Sequence, residues 1–227
     1  MNKIFGDKIM NVFILKIIAL ISMIIDHYGA IFNNNINLYR VIGRIAFPIY
    51  CFLLVEGYIH TSDIKKYLKR LLIFAFISEI PFDLAFYGKI ELAHQNIFFT
   101  LSIGLIAMYL LDKQEGKYVF NNIIVYIGAC FIALILAVDY NFLGIIYILM
   151  FHKFREYLKT KKLYYMALFM FLINLVLSMW IQQFSLLALL ILYFYNGKLG
   201  PKNKLSQMFF YAAYPLHLLI FYILNLK

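Results

Sequence analysis

Charge is what this chain has least of. Asp, Glu, Lys and Arg make up 14% of the 227 residues, against 64% hydrophobic residues and a mean hydropathy of +0.82. So little polar surface cannot cover a soluble domain of this size, and the chain reads as an integral membrane protein. Cysteine is nearly absent. Cys51 and Cys130 lie inside apolar stretches without ligand-type spacing, so they behave as small hydrophobes, point to no metal and say nothing of the redox compartment. No internal repeat, low-complexity tract, glycine-rich phosphate loop or zinc motif is present. The net charge of +10 does not imply nucleic acid, because loops of roughly 2 to 12 residues are too short to build a folded basic surface.

What is there is a succession of apolar runs, at roughly 9–32, 41–59, 68–87, 95–112, 119–138, 141–152, 163–179, 181–195 and 207–226. This predicts an all-α polytopic membrane bundle of about nine spans, one domain over residues 1–227. Several runs fall short of the ~20 residues that cross a bilayer upright, so 141–152 and 181–195 are read as re-entrant or as halves of bent units. The start, MNKIFGDK, is followed by no small-residue cleavage site and by too long an apolar run for a signal peptide, so it leads into the first span. With nine spans the basic residues sort by side. Lys3, Lys8, Lys65, Lys66, Lys69, Arg70, Lys113, Lys117, Lys153, Arg155, Lys159, Lys161, Lys162, Lys198, Lys202 and Lys204 fall on one side, and Arg40, Lys89 and Lys227 on the other. The positive-inside rule then places the N-terminus in the cytoplasm.

Against this apolar background a few ionisable residues stand out, because each costs several kcal/mol in hydrocarbon unless paired or facing a wet cavity. Leu15 to Phe32, LKIIALISMIIDHYGAIF, carries Lys16, Asp26 and His27. At ~1.5 Å per residue Asp26 and His27 sit roughly 7 Å below the outer surface, with Arg44 of GRIAFP at about the same depth. In SEIPFD, Pro81 removes a backbone donor, which predicts a kink or break beside Glu79 and Asp83. Gln95 and Asn96 open the fourth span on the same side, and YPLHL puts Tyr214, Pro215 and His217 near mid-membrane. One polar chamber in the outer half is the simplest reading. The plain alternatives stay open: headgroup-level residues for Asp26 and His27, an ion pair of Arg44 with Asp26 or Asp83, a pair of Glu56 with the Lys65 to Arg70 cluster, and a satisfied core role for His217. His60, His94 and His152 are read as solvated. Phe and Tyr are read as lipid-facing surface and interfacial belt.

The segments LKIIALISMIIDHYGAIF, RVIGRIAFPIYCFLLVEGYIHT, KKYLKRLLIFAFISEIPFDLAF, QNIFFTLSIGL and YPLHL, in this order, resemble the TraX family of bacterial membrane proteins. The resemblance covers residues 11–113 and 208–221, while 119–195 is similar only in hydropathy. The family's named member is associated with N-terminal acetylation of pilin, and the group is similar to a wider set of membrane acyltransferases that draw on cytosolic acyl-CoA. The resemblance therefore implies a multi-pass protein of the bacterial cytoplasmic membrane that transfers an acyl group. Those relatives carry a basic residue, ten intervening residues and a histidine on the first span. Lys16 and His27 match that spacing, with Lys where Arg is usual.

Acyl transfer suits the residues. A thioester reacts with an amine or hydroxyl without metal or redox cofactor, needing a base for the acceptor's proton and donors for the oxyanion. His27 is the natural base, with Asp26, Glu79 or Asp83 as the carboxylate that orients it. Gln95, Asn96 or Tyr214 would donate to the oxyanion. Lys65, Lys66, Lys69 and Arg70, with the basic 153–162 loop, would collect the phosphates of acyl-CoA, acetyl-CoA above all. The expected partners are thus the bilayer, acyl-CoA and a peptide or glycan acceptor, and a homodimer is compatible with the chain. The same Asp, Glu, His and Arg set also fits the relay of a proton-coupled transporter. A membrane scaffold would leave the costly polar residues without purpose.

The predicted orientation puts the loop from Asn33 to Tyr39 outside. A cysteine replacing Asn34 should react with an impermeant maleimide on intact cells. Reaction only after permeabilisation would reverse the orientation and the depths drawn from it.

Overall fold

The structure, a computed structural model, describes residues 9–33, 37–114, 119–160, 162–177, 180–201 and 203–226. Asn34 and six of the lysines used for orientation, Lys3, Lys8, Lys117, Lys161, Lys202 and Lys227, lie outside them. Among the described residues there is no strand, only isolated bridges. The helices are α1 (Val12–Phe32), α2 (Asn37–Gly43), α3 (Ala46–Ile59), α4 (Ile64–Tyr87), α5 (Ile97–Gln114), α6 (Val119–Ile135), α7 (Asn141–Phe154), α8 (Leu163–Val176), α9 (Leu187–Tyr193) and α10 (Lys204–Asn225). Short 3-10 turns cover Arg155–Lys159 and Trp180–Leu186. Every expected span thus meets a helical segment. Four stretches are long and apolar enough to cross a membrane: Val12–Phe32, Leu38–Ile59, Ile97–Gln114 and Lys204–Asn225.

The chain packs as two compact units, the first Met1–Leu53 with Glu156–Phe210, the second Leu54–Arg155 with Tyr211–Lys227. In the first unit α1 buries Val12, Leu15, Ala19, Ser22, Met23 and Asp26, a stripe that recurs every three or four residues. Its other face is just as apolar: Ile14, Ile17 and Ile21 are exposed. In water such a face would be an unmet cost, whereas lipid accepts it. The start of α1 is fixed by Asn11, whose side chain accepts the Ile14 amide at 3.0 Å, and by Val12 N–H to the Lys198 carbonyl at 3.0 Å.

Between α2 and α3 the helix is interrupted at Arg44 and Ile45. Pro48 explains the interruption, since it has no N–H to offer the Arg44 carbonyl and is accommodated in the first turn of the new helix.

The second unit is built on α5, which packs against α4, α6 and α7. Leu105 and Met108 of α5 and Ile145, Tyr147, Ile148 and Phe151 of α7 are fully buried there. The predicted break at Pro81 is not present: α4 continues as helix from Ile64 through Pro81 to Tyr87. One lost hydrogen bond is a smaller loss than ending a helix in this environment, where every backbone group needs a partner. The helix stops at Gly88, whose φ of 68° is the left-handed cap that glycine adopts without strain.

Two further expectations are corrected in this unit. Glu56 does not pair with the Lys65 to Arg70 cluster. It is buried against the Arg155 guanidinium, with His60 Nδ1 at 3.8 Å from its carboxylate. His152 is not simply solvated either, as its Nε2 lies 3.2 Å from Asp112, which also accepts the Tyr58 hydroxyl at 2.7 Å.

Asp63 caps α4, accepting the Lys66 amide at 2.9 Å, and that bond holds its carboxyl below its ordinary value of 3.8. A lowered folded-state value means stabilisation that is present above the ordinary value and lost as pH falls through the folded one. Asp63→Ala should therefore lower the thermal midpoint at neutral pH, and the gap from wild type should close as pH falls through and below the ordinary carboxylate range. An equal gap at both pH values would take the carboxylate's charge out of the cap.

Candidate functional site

In the first unit the residues converge on Asp26. Arg40 Nη1 donates to its Oδ2 at 2.8 Å and Arg44 Nη2 donates to its Oδ1 at 2.7 Å, so each oxygen has its own guanidinium. Arg40 and Arg44 are one helical turn apart and so reach the same side. Arg44 Nε also donates to the Arg40 carbonyl at 3.2 Å, which fixes the turn between α2 and α3. Gly43 makes the approach possible, because a Cβ at this position would overlap the Asp26 side chain. The burial is uneven. The Arg44 side chain is 11% exposed and that of Arg40 34%, so Arg44 is the partner held out of solvent.

The network continues inward. Arg44 Nη1 donates to Gln182 Oε1 at 3.3 Å, and Asn174 Nδ2 donates to the Gln182 carbonyl at 3.0 Å. Asn174, Gln182 and Ser185 are all buried. α8 and the 180–186 turn are thereby joined to α2 through polar groups. His27 is half-buried beside Asp26 in the chain. Lys16, whose Nζ lies 5.4 Å from the Phe210 ring centre, is eleven residues earlier, ~16 Å along α1 and roughly 20° around it, so both side chains leave the same face.

The second unit holds the remaining expected residues in separate arrangements. Asn96 Nδ2 donates to the Ala75 carbonyl at 2.8 Å and to Glu79 Oε2, while its own Oδ1 caps α5 through the Phe98 amide at 3.0 Å. Asp83 Oδ2 accepts the Glu91 amide at 3.0 Å, which ties α4 to the loop after it. Gln95 Nε2 is spent on the Leu92 carbonyl at 2.7 Å. Tyr214 meets Phe98 edge-on at 5.3 Å, and His217 Nδ1 hydrogen-bonds the Ala213 carbonyl at 2.8 Å. Lys65, Lys66 and Lys69 are exposed, whereas Arg70 turns to the Tyr67 ring, 5.6 Å from its centre.

Of the candidate site residues named from sequence, Lys16, Asp26, His27 and Arg44 belong to the first unit and Glu79, Asp83, Gln95, Asn96, Tyr214 and His217 to the second. The carboxylate that Arg44 takes is Asp26, not Asp83. Sequence reasoning used Arg40 only to orient the chain and missed it as a partner of Asp26, together with Gln182 and Asn174. The signal for the last two was available: an amide inside WIQQFSLLALL or LINLV carries the same burial cost that singled out Asp26.

A family model described as TraX protein matches residues 12–225, beyond the segments whose motifs carry the resemblance. A probable fimbrial assembly protein FimC, serogroup H1, of Dichelobacter nodosus is 29% identical over 234 residues, spanning 92% of this chain and 93% of that protein. An uncharacterized protein of Rickettsia prowazekii (strain Madrid E) is 31% identical over 127 residues, 56% of this chain and 46% of its own length. No solved structure matches the chain.

Removing one member of an isolated buried ion pair strands the other charge, which typically costs ~3–5 kcal/mol. Arg40 still holds Asp26 Oδ2 when Arg44 is removed, so Arg44→Ala should fall below that range, at about 2 kcal/mol in thermal or denaturant unfolding of the purified protein. Arg40→Ala, at the wetter oxygen, should cost about 1 kcal/mol. Equal and small effects would mean that Asp26 is solvated rather than held by these arginines.

Proposed function

Since the chain belongs to the TraX family, we propose that it is a membrane-embedded acyltransferase, moving an acyl group from cytosolic acyl-CoA to an amine or hydroxyl at the outer side of the membrane. A peptide N-terminus or a glycan is the acceptor class, and acetyl-CoA the donor. The observation that carries this reading is the position of His27, on a helix whose neighbouring residue is clamped by two arginines. A base in acyl transfer must be held still against the reacting atoms, and the Asp26 clamp supplies that rigidity. With both oxygens engaged by guanidiniums, Asp26 acts as a positioning residue. The exposed Lys65, Lys66 and Lys69 suit the capture of CoA phosphates. The fimbrial assembly relative is consistent with a protein acceptor.

One observation favours a second reading. Glu79 Oε1 and Asp83 Oδ1 are buried without a hydrogen-bond partner among the described residues. Paired carboxyl groups on one face of a span, each with an unmet oxygen, are what the relay of a proton-coupled transporter would use.

His27→Ala should fold and bind acyl-CoA with near wild-type affinity while turnover falls by ~10²–10⁴-fold. Radiolabelled acyl transfer by purified wild type and variant, with CoA binding in parallel, tests this. Equal turnover would move the base to His217. A wild type that transfers acyl groups to no amine or hydroxyl, yet drives proton-coupled uptake in vesicles, would establish the second reading.

A further inference from the structure

Two of the residues expected to hold an oxyanion are already occupied: the Asn96 amide binds Ala75 and Glu79, and the Gln95 amide binds Leu92. Gln182 differs. It is 2% exposed, and its Nε2 is buried without a hydrogen-bond partner among the described residues. Its amide cannot be turned round to relieve this, because Arg44 is a donor only and must face the amide oxygen, which it does at 3.3 Å. The N–H groups are therefore held pointing away from Arg44. The backbone behind them is fixed by Asn174 on the Gln182 carbonyl. Two arginines against one aspartate leave the surroundings with a surplus positive charge, which suits an oxygen that becomes negative.

We propose that Gln182 Nε2 donates to the thioester carbonyl oxygen as it becomes an oxyanion, in the same unit that carries His27. This rests on the acyltransferase reading above. The acceptor's nitrogen or oxygen forms a bond to the carbonyl carbon while His27 takes its proton, and the carbonyl π pair moves onto oxygen, facing Gln182. When that pair returns, the carbon–sulfur bond breaks and the CoA thiolate leaves, receiving the proton from His27. Arg44 and Asp26 act through Gln182, as positioning residues.

The test is Gln182→Glu. Glutamate keeps the oxygen that Arg44 binds and adds a charge that Arg44 can meet, so the fold is retained, but the donor is gone. The expected result is a thermal midpoint at or above that of wild type, unchanged KM for acetyl-CoA, and kcat lowered by ~10²–10³-fold. Gln182→Met, uncharged and of similar length, should show the same kcat loss and carries the test if the glutamate variant does not accumulate. A Gln182→Glu protein with kcat within about threefold of wild type would overturn the proposal. It would leave Gln182 as an anchor for Arg44, or as the partner of a buried water that a carboxylate binds equally well. A wild type inactive with acetyl-CoA and every acceptor would instead remove the acyltransferase reading, and this assignment with it.

Discussion

A carboxylate removed from water has to be met by cations, and Asp26 is met by two. That requirement organises the first unit. α2 must bring Arg40 and Arg44 to one side of α1, Gly43 must be without a side chain to allow the approach, and the helix must be interrupted so that Arg44 can turn inward, which Pro48 allows. Apolar contacts between helices in lipid gain little from leaving the solvent, since lipid is as apolar as the core. The directional bonds of the Asp26 network therefore do more to select one arrangement than burial of Leu15 or Phe52 can.

The second unit meets the same constraint differently. There buried polar groups are matched to nearby backbone and amides: Asn96 to Ala75 and Glu79, Asp83 to the Glu91 amide, Thr100 to the Asp139 carbonyl at 2.5 Å. At another place in this unit Glu56 meets Arg155, and Asp112 is shared by Tyr58 and His152. Such pairs fix where helix ends lie. Glu79 Oε1 and Asp83 Oδ1 are among the buried atoms left over, with Ser78 Oγ beside them in the chain, and an unmet buried carboxylate oxygen is costly enough to suggest use rather than accident.

Family and geometry bear on different questions. Membership rests on a match across residues 12–225, and one relative that spans most of this chain's length is a probable fimbrial assembly protein. Neither describes a reaction. The chemistry has to be argued from side chains, and in the first unit these are a half-buried histidine, a clamped aspartate and an amide whose free donor is aimed by an arginine.

From sequence alone, the class of fold was determined: runs of apolar residues with scarce charge leave a helical membrane protein as the outcome, because only there can such faces as Ile14, Ile17 and Ile21 be exposed. The cost of charge in hydrocarbon also picked out Asp26, His27, Arg44, Glu79 and Asp83. Partners were beyond its reach, since periodicity tells which face of a helix a residue occupies but not which helix lies opposite. Only tertiary structure could decide that Arg44 takes Asp26 rather than Asp83, that Glu56 takes Arg155 from 99 residues away, and that Gln182 lies at the end of the same network. Proline was misread at Pro81 for the same reason. Its local effect is fixed by its ring, but whether a helix ends there depends on what packs around the backbone it disturbs.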